Sequence, residues 1–248
     1  MIRILQDVTA AFQFLTRLPL SMLHYQQDAL SRSAKFFPLV GLALGCAMAG
    51  IYYALSSHLP TLIVALLIVL FSALATGAMH EDGLADVADA FGGGWDKQKI
   101  LEIMKDSRIG SYGAVAIALS VAGRVLLIAN LPAESRIQYV ITAEVISRWT
   151  VLPLGMALPA ARKEKSLGAL FSRQISGLSF SLGTLMALTI AGYLLRMSML
   201  VPIIATLMVT LLSGIYYRRR IGGTTGDCFG ATIQITLLAI YLCGVWKG

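Results

Sequence analysis

Charge is what this 248-residue chain most lacks. Charged residues make up 13% of it, against roughly a quarter in ordinary soluble domains. From Phe36 to Met79 there are 44 residues without one Asp, Glu, Lys or Arg. Further uncharged runs cover Gln174–Leu195, Met197–Tyr217 and Cys228–Trp246, each near the ~20 apolar residues that carry a helix across a bilayer. With hydrophobic residues at 57%, a soluble globular fold is excluded. The expected fold class is all-α, a polytopic integral membrane protein with the lipid bilayer as its solvent.

Cysteine is scarce too. Cys46, Cys228 and Cys243 are an odd set without metal-ligand spacing, so neither a disulfide framework nor a thiolate metal site is expected. No short apolar core with a small-residue cleavage site opens the chain, so no cleaved signal peptide is expected. Acids are fewer than bases, 13 against 20, for a net charge of +7. That excess could suggest nucleic acid, but its placement argues for no nucleic-acid partner.

Hydropathy fits about seven spans, near 36–57, 60–79, 111–131, 137–158, 177–197, 199–217 and 228–246. Ser56-Ser57-His58-Leu59-Pro60 forms the turn between the first two. Residues 1–20 carry Ile4, Leu5, Val8, Phe12 and Leu15 at helical spacing and are expected to lie along the interface. The whole of 1–248 reads as one membrane-embedded domain. If the N-terminus is cytoplasmic, 15 of the 20 basic residues fall on that side, as the positive-inside bias requires. Eleven of the 13 acids share it, and only Glu134 and Glu144 do not. The long loops are cytoplasmic as well, which makes that side the active face. The expected location is the cytoplasmic (inner) membrane.

The most informative stretch is His80-Glu81-Asp82-Gly83-Leu84-Ala85-Asp86-Val87-Ala88-Asp89, followed by Gly92-Gly93-Gly94. On a helix, Asp82, Asp86 and Asp89 are spaced i, i+4 and i+7 and share one face. No lysine interrupts that face. Mutual repulsion makes such a stripe costly unless a divalent cation neutralises it, and hard carboxylates with phosphate oxygens suit Mg²⁺. The expected metal ligands are Asp82, Asp86, Asp89 and Asp227. The expected catalytic residues are His80, Asp82 and Asp86, with His80 placed to orient or deprotonate an attacking hydroxyl. The Asp-bearing helix is expected to continue the second span. Asp96 is expected to cap a second short helix whose apolar face is Ile100, Leu101, Ile103 and Met104.

Several groups are expected to bind substrate. Gly222, Gly223, Thr225 and Gly226 open the last span with backbone N–H groups and a hydroxyl, a combination suited to an anion. Asp106, Ser107 and Arg108 put an acid, a hydroxyl and a guanidinium beside a glycine hinge. Arg17 and Lys35 are either membrane anchors or anion ligands. Arg148 either pairs with Glu144 four residues away or binds phosphate. Arg124 has no partner in its own span.

Taken together, several segments resemble the cobalamin synthase (adenosylcobinamide-GDP ribazoletransferase) family. They are Thr16-Arg17-Leu18-Pro19, Phe37-Pro38-Leu39-Val40-Gly41, the His80–Asp86 segment, Leu101–Gly110, Ser147-Arg148 and Gly222-Gly223-Thr224-Thr225-Gly226-Asp227. They run in family order over nearly the whole chain. The resemblance implies a prokaryotic membrane enzyme that joins adenosylcobinamide-GDP to α-ribazole or its 5′-phosphate, releasing GMP with Mg²⁺. It leaves open whether the chain forms a homo-oligomer. The family pattern carries acids where this chain has Gln234 and Leu237. Two other readings stand beside it. The Asp82-Gly83-Leu84-Ala85 core is similar to that of CDP-alcohol phosphotransferases, but Asp86 stands where their motif has an arginine. An ion transporter would place its acids at mid-span rather than along one edge.

Overall fold

A computed structural model describes residues 2–18, 31–162 and 175–246, and among them every regular element of any length is helical. Helix α1 (Ile2–Leu15) leads to a helical run that passes through a short 3₁₀ turn (Ala34–Phe36) into α2 (Phe37–Leu55). Then come α3 (Thr61–Thr76), α4 (Met79–Gly93), α5 (Lys97–Ile103) and α6 (Ser111–Asn130). Helices α7 (Arg136–Trp149) and α8 (Val151–Ala157) follow. Helices α9 (Gly177–Leu195), α10 (Leu200–Ile221) and α11 (Gly226–Val245) complete the chain.

Among the described residues, five helical runs are long and apolar enough to cross a membrane, and α3 with α4 would make a sixth. This is a polytopic all-α membrane protein. The run Gly177–Ile221 has 45 residues. Drawn straight it would measure about 67 Å, more than twice the ~30 Å hydrocarbon core. It is not straight. Arg196 leaves the helix with φ 51° and ψ −128°, and positions 183 and 214 both lie against α8, beside Leu152 and Leu154. The run is therefore a hairpin of α9 and α10.

The central helices are α7 and α11, and the α9–α10 hairpin is the least buried. Core side chains such as Phe37, Val40, Val64, Ile68, Val140 and Ile240 fill the space between α2, α3, α7 and α11. Outward faces stay apolar, as with Leu62, Leu66, Leu70 and Leu74 along α3 and Leu207, Leu211 and Ile215 along α10. In water such patches would aggregate, whereas lipid accepts them. Helix α1 exposes Ile4 and Leu5. It is pinned by its buried Asp7, which accepts from Lys35 Nζ at 2.8 Å and Arg32 Nε at 3.3 Å.

One expectation needs correction. The Asp-bearing helix does not continue the second span: α3 and α4 meet at 87°. Gly77 (φ 65°) and Ala78 (φ 55°) both take left-handed backbone at the corner. For Ala78 that conformation is uncommon, so packing holds it. Arg17 is part of that packing. Its N–H donates to Ala75 O at 2.8 Å and its side chain lies across Gly77, where a Cβ would come within 2.3 Å of Nε. Helix α3 carries no charged residue, whereas α4 beyond the corner carries Glu81, Asp82, Asp86 and Asp89. Asp96 caps α5 as expected, its Oδ1 accepting from Lys99 N at 2.9 Å.

Candidate active site at the crossing of α4 and α11

Helices α4 and α11 approach at backbone distance. A Cβ on Gly83 would lie 2.9 Å from Asp227 O, and one on Gly230 would lie 3.2 Å from His80 Cα. The absence of side chains at these two positions brings Asp227 against the base of the acidic stripe. Asp227 sits in the first turn of α11, where the helix dipole favours an anion. Thr225 caps that turn. Its Oγ1 accepts from Cys228 N at 3.4 Å and donates to Asp227 Oδ2 at 3.1 Å.

On α4, Asp82 is exposed and Asp86 half-buried. Burial pushes the Asp86 carboxyl up to about 7, and the neighbouring charges of Asp82, Asp227 and Asp89 push the same way. Arg162 opposes them. The carboxylates therefore share one field with an excess of negative charge. Among the described residues, no three His, Cys, Asp or Glu side chains converge closely enough to hold a metal by themselves. Mg²⁺ does not require that: it keeps several waters and commonly takes one or two carboxylates plus substrate phosphates. The donor chemistry of Asp82, Asp86 and Asp227 fits such a site.

Asp89 has a further task. Its Oδ2 accepts from Gly110 N at 2.7 Å and its Oδ1 from Gly113 N at 2.9 Å. A Cβ at either glycine would come within 2.4 Å of that carboxylate. So Asp89 caps α6 from another helix, and two of its lone pairs are spent there.

The remaining residues singled out from the sequence divide into groups. Gly222, Gly223, Thr225 and Gly226 lie beside Asp227, with Gly222 (φ 77°) ending α10. Asp106 and Arg108 form an exposed ion pair, Arg108 NH2 to Asp106 Oδ2 at 2.6 Å. Hydrogen bonds from Arg108 hold the Asp106 carboxyl down at about 2. Ser107 between them is exposed, on the loop that leads into α6. Lys35 is engaged with Asp7 and Arg17 with the Gly77 corner, so both hold the fold together.

His80 and Arg148 are buried instead in an ionic layer behind the acidic face. Within α7, Arg148 donates to both the carboxylate and the carbonyl of Glu144. Arg124 of α6 donates to Glu81 Oε1 of α4 at 2.7 Å, which supplies the partner missing from its own span. His80 feels the charges of Arg148 and Arg124. Its Nε2 is buried with no partner among the described residues, as are Glu81 Oε2, Arg124 Nε, Glu144 Oε1 and Arg148 Nε. Positions 80 and 82 are roughly 200° apart around a helix, so His80 faces this layer while Asp82 faces out.

The cobalamin-5-phosphate synthase family model matches residues 7–245. The chain belongs to that family. A protein named adenosylcobinamide-GDP ribazoletransferase from Leptospira interrogans is 39% identical over 246 residues, covering 94% of this chain and 92% of the relative. One of the same name from Thermoanaerobacter pseudethanolicus is 32% identical, with 97% of each chain covered. Another from Polaromonas sp. is 36% identical, with 96% and 95% covered. No solved structure matches the chain.

At the two positions where the resemblance implies acids, Gln234 Oε1 accepts from Ser120 Oγ at 3.0 Å and Leu237 is buried. Both are interior positions on α11, filled here by a neutral hydrogen bond and by an alkyl side chain. Sequence reasoning passed over Glu81, whose role depends on a partner 43 positions away. It also counted Arg162 only as one more cytoplasmic cation.

Proposed function

We propose that the chain transfers the adenosylcobinamide-phosphate group of adenosylcobinamide-GDP to α-ribazole or α-ribazole 5′-phosphate, releasing GMP. The single observation that carries this reading is that Asp82, Asp86 and Asp227 lie where α4 crosses α11, near enough for the charges of Asp82 and Asp227 to raise the Asp86 carboxyl, beside a glycine-rich loop and a guanidinium. The names of the relatives support the substrates. The acids and cations support phosphoryl transfer, whose catalysis rests on positioning and charge stabilisation.

A ribazole hydroxyl attacks the β-phosphorus, the bond from that phosphorus to the bridging oxygen breaks, and GMP leaves as the hydroxyl proton is lost. Asp82, Asp86 and Asp227 would hold Mg²⁺, which when bound offsets charge on phosphoryl oxygens. Asp89 and the Arg124–Glu81 pair fix the rotation of α4 so that Asp82 and Asp86 face outward. The backbone of Gly222 to Gly226 lines the approach for an anion. The placement of the cations supports a cytoplasmic active face and a cytoplasmic N-terminus. Nearly all of the acids gather at one edge, with Glu144 the one inside a span, which disfavours a transport path.

The test uses sealed membrane vesicles of both orientations. With adenosylcobinamide-GDP, α-ribazole and Mg²⁺, inverted vesicles should form a cobamide with one GMP for each product, and right-side-out vesicles should form none. Turnover only in right-side-out vesicles would refute the orientation. Absence of GMP from both, with CMP released from a CDP-lipid, would refute the reaction.

A further inference from the structure

The segment after α8 pairs with the glycine-rich loop. Ala161 N donates to Thr224 O at 2.9 Å and Thr224 N donates to Pro159 O at 2.9 Å, a short parallel pairing of Ala160 with Thr224. That clamp sets Arg162 between two environments. On one side its charge reaches Asp86 and Asp227. On the other it lines an open groove of about 560 Å³ with Lys97, Leu101, Glu102 and Lys105, a volume within the range of small-molecule sites.

The groove is built for an anion. Glu102 is engaged by Lys99 Nζ at 3.2 Å, while Lys97 and Arg162 line the groove. Arg162 NH2 reaches Leu101 O only at 3.4 Å, and its Nε is buried with no partner among the described residues. A buried N–H left unpaired costs free energy that an anion would recover. A planar guanidinium suits the paired oxygens of a phosphate, and a lysine suits its charge. Lys97 Nζ lies against Gly222, where a Cβ would be 3.3 Å away, so the groove opens onto the same loop as the acidic cluster.

We propose that this groove binds the leaving nucleoside monophosphate half of the nucleoside diphosphate donor, with Arg162 and Lys97 as its phosphate ligands. The inference rests on the transfer reading above and adds a division of labour to it. The acids hold the side of the diphosphate where the bond breaks, and the cations receive the phosphate that departs. An anionic lipid headgroup presents the same phosphate chemistry at the membrane boundary, so the experiment separates the two sources.

The full-length protein is placed in nanodiscs of phosphatidylcholine alone, and GMP binding is measured by calorimetry. Arg162→Gln and Lys97→Gln should each weaken GMP roughly ten- to a hundredfold, with α-ribazole affinity unchanged. Arg162→Lys, which keeps the charge and loses the fork, should fall between and guards against a folding defect. Unchanged GMP affinity in both neutral variants would overturn the proposal. So would a loss confined to phosphatidylglycerol binding in discs that contain it. Wild-type turnover with unaltered GMP binding in the variants refutes the groove alone. GMP binding that depends on Arg162 and Lys97 without wild-type turnover supports the groove and refutes the reaction.

Discussion

Asp86→Asn should reduce turnover roughly a hundredfold or more while leaving the protein at least as stable as wild type. The two effects have one origin. Asp86 lies half-buried among Asp82, Asp227 and Asp89, and its carboxyl is raised to about 7. In the absence of a divalent cation its charge opposes folding, so removing it relieves repulsion. During transfer the same charge helps hold the cation that offsets the developing negative charge. Loss of one such stabiliser typically costs about 3 kcal/mol.

The sign of the pH dependence follows. The folded protein keeps the Asp86 proton to about pH 7, whereas an unfolded chain loses it near the ordinary carboxylate value of 3.8. Between those values the folded state binds more protons, so metal-free stability falls as pH rises from about 4 to about 7 and levels off above. Solvent screens part of the effect, because the group is only half-buried. Thermal unfolding in detergent from pH 5 to 8 should slope downward in wild type, more gently in Asp86→Asn, and recover in wild type with Mg²⁺. Wild-type turnover in Asp86→Asn at the same Mg²⁺ demand would reduce the stripe to a solvated helix face.

The largest effect on stability should come from the Arg124–Glu81 pair. Both side chains are almost completely buried, at 2% and 7% exposure. Removing one partner leaves the other charge in a low-dielectric interior, typically at a cost of 3–5 kcal/mol. Arg124→Gln and Glu81→Gln should each lower the unfolding temperature far more than Lys99→Gln, whose pair with Glu102 is exposed and worth at most about 1 kcal/mol. The double variant Arg124→Gln/Glu81→Gln should recover much of the loss, since no isolated charge remains. Single variants no less stable than Lys99→Gln would show that the pair does not fix α4.

Much of this site was legible in one dimension. Asp82 and Asp86 are spaced to share a helix face, Asp96 precedes an apolar helix it can cap, and the long uncharged runs mark spans. What escaped sequence reading depends on contacts between distant segments. Arg124 and Glu81 belong to different helices, so neither predicts the other. The 87° corner at Gly77–Ala78 was hidden by unbroken apolar character on its first side and helical spacing on its second. Asp89 has the same spacing as its neighbours, yet its carboxylate accepts from the N–H groups of Gly110 and Gly113 and becomes a cap. Arg162 became visible only once Ala160 and Thr224 paired. The hairpin of α9 and α10 corresponds to two uncharged runs, Gln174–Leu195 and Met197–Tyr217, divided by Arg196.

Whether the α4–α11 crossing takes a divalent cation can be measured directly. Paramagnetic Mn²⁺ can be titrated into detergent-solubilised protein at pH 8 and its free signal followed by electron paramagnetic resonance. Wild type should show saturable binding that Mg²⁺ displaces. Asp86→Asn and Asp227→Asn should each lose tenfold or more in affinity, on the order of 1.4 kcal/mol, while Glu102→Gln binds as wild type does. Equal Mn²⁺ binding by all four proteins would contradict the assignment of the metal to this crossing.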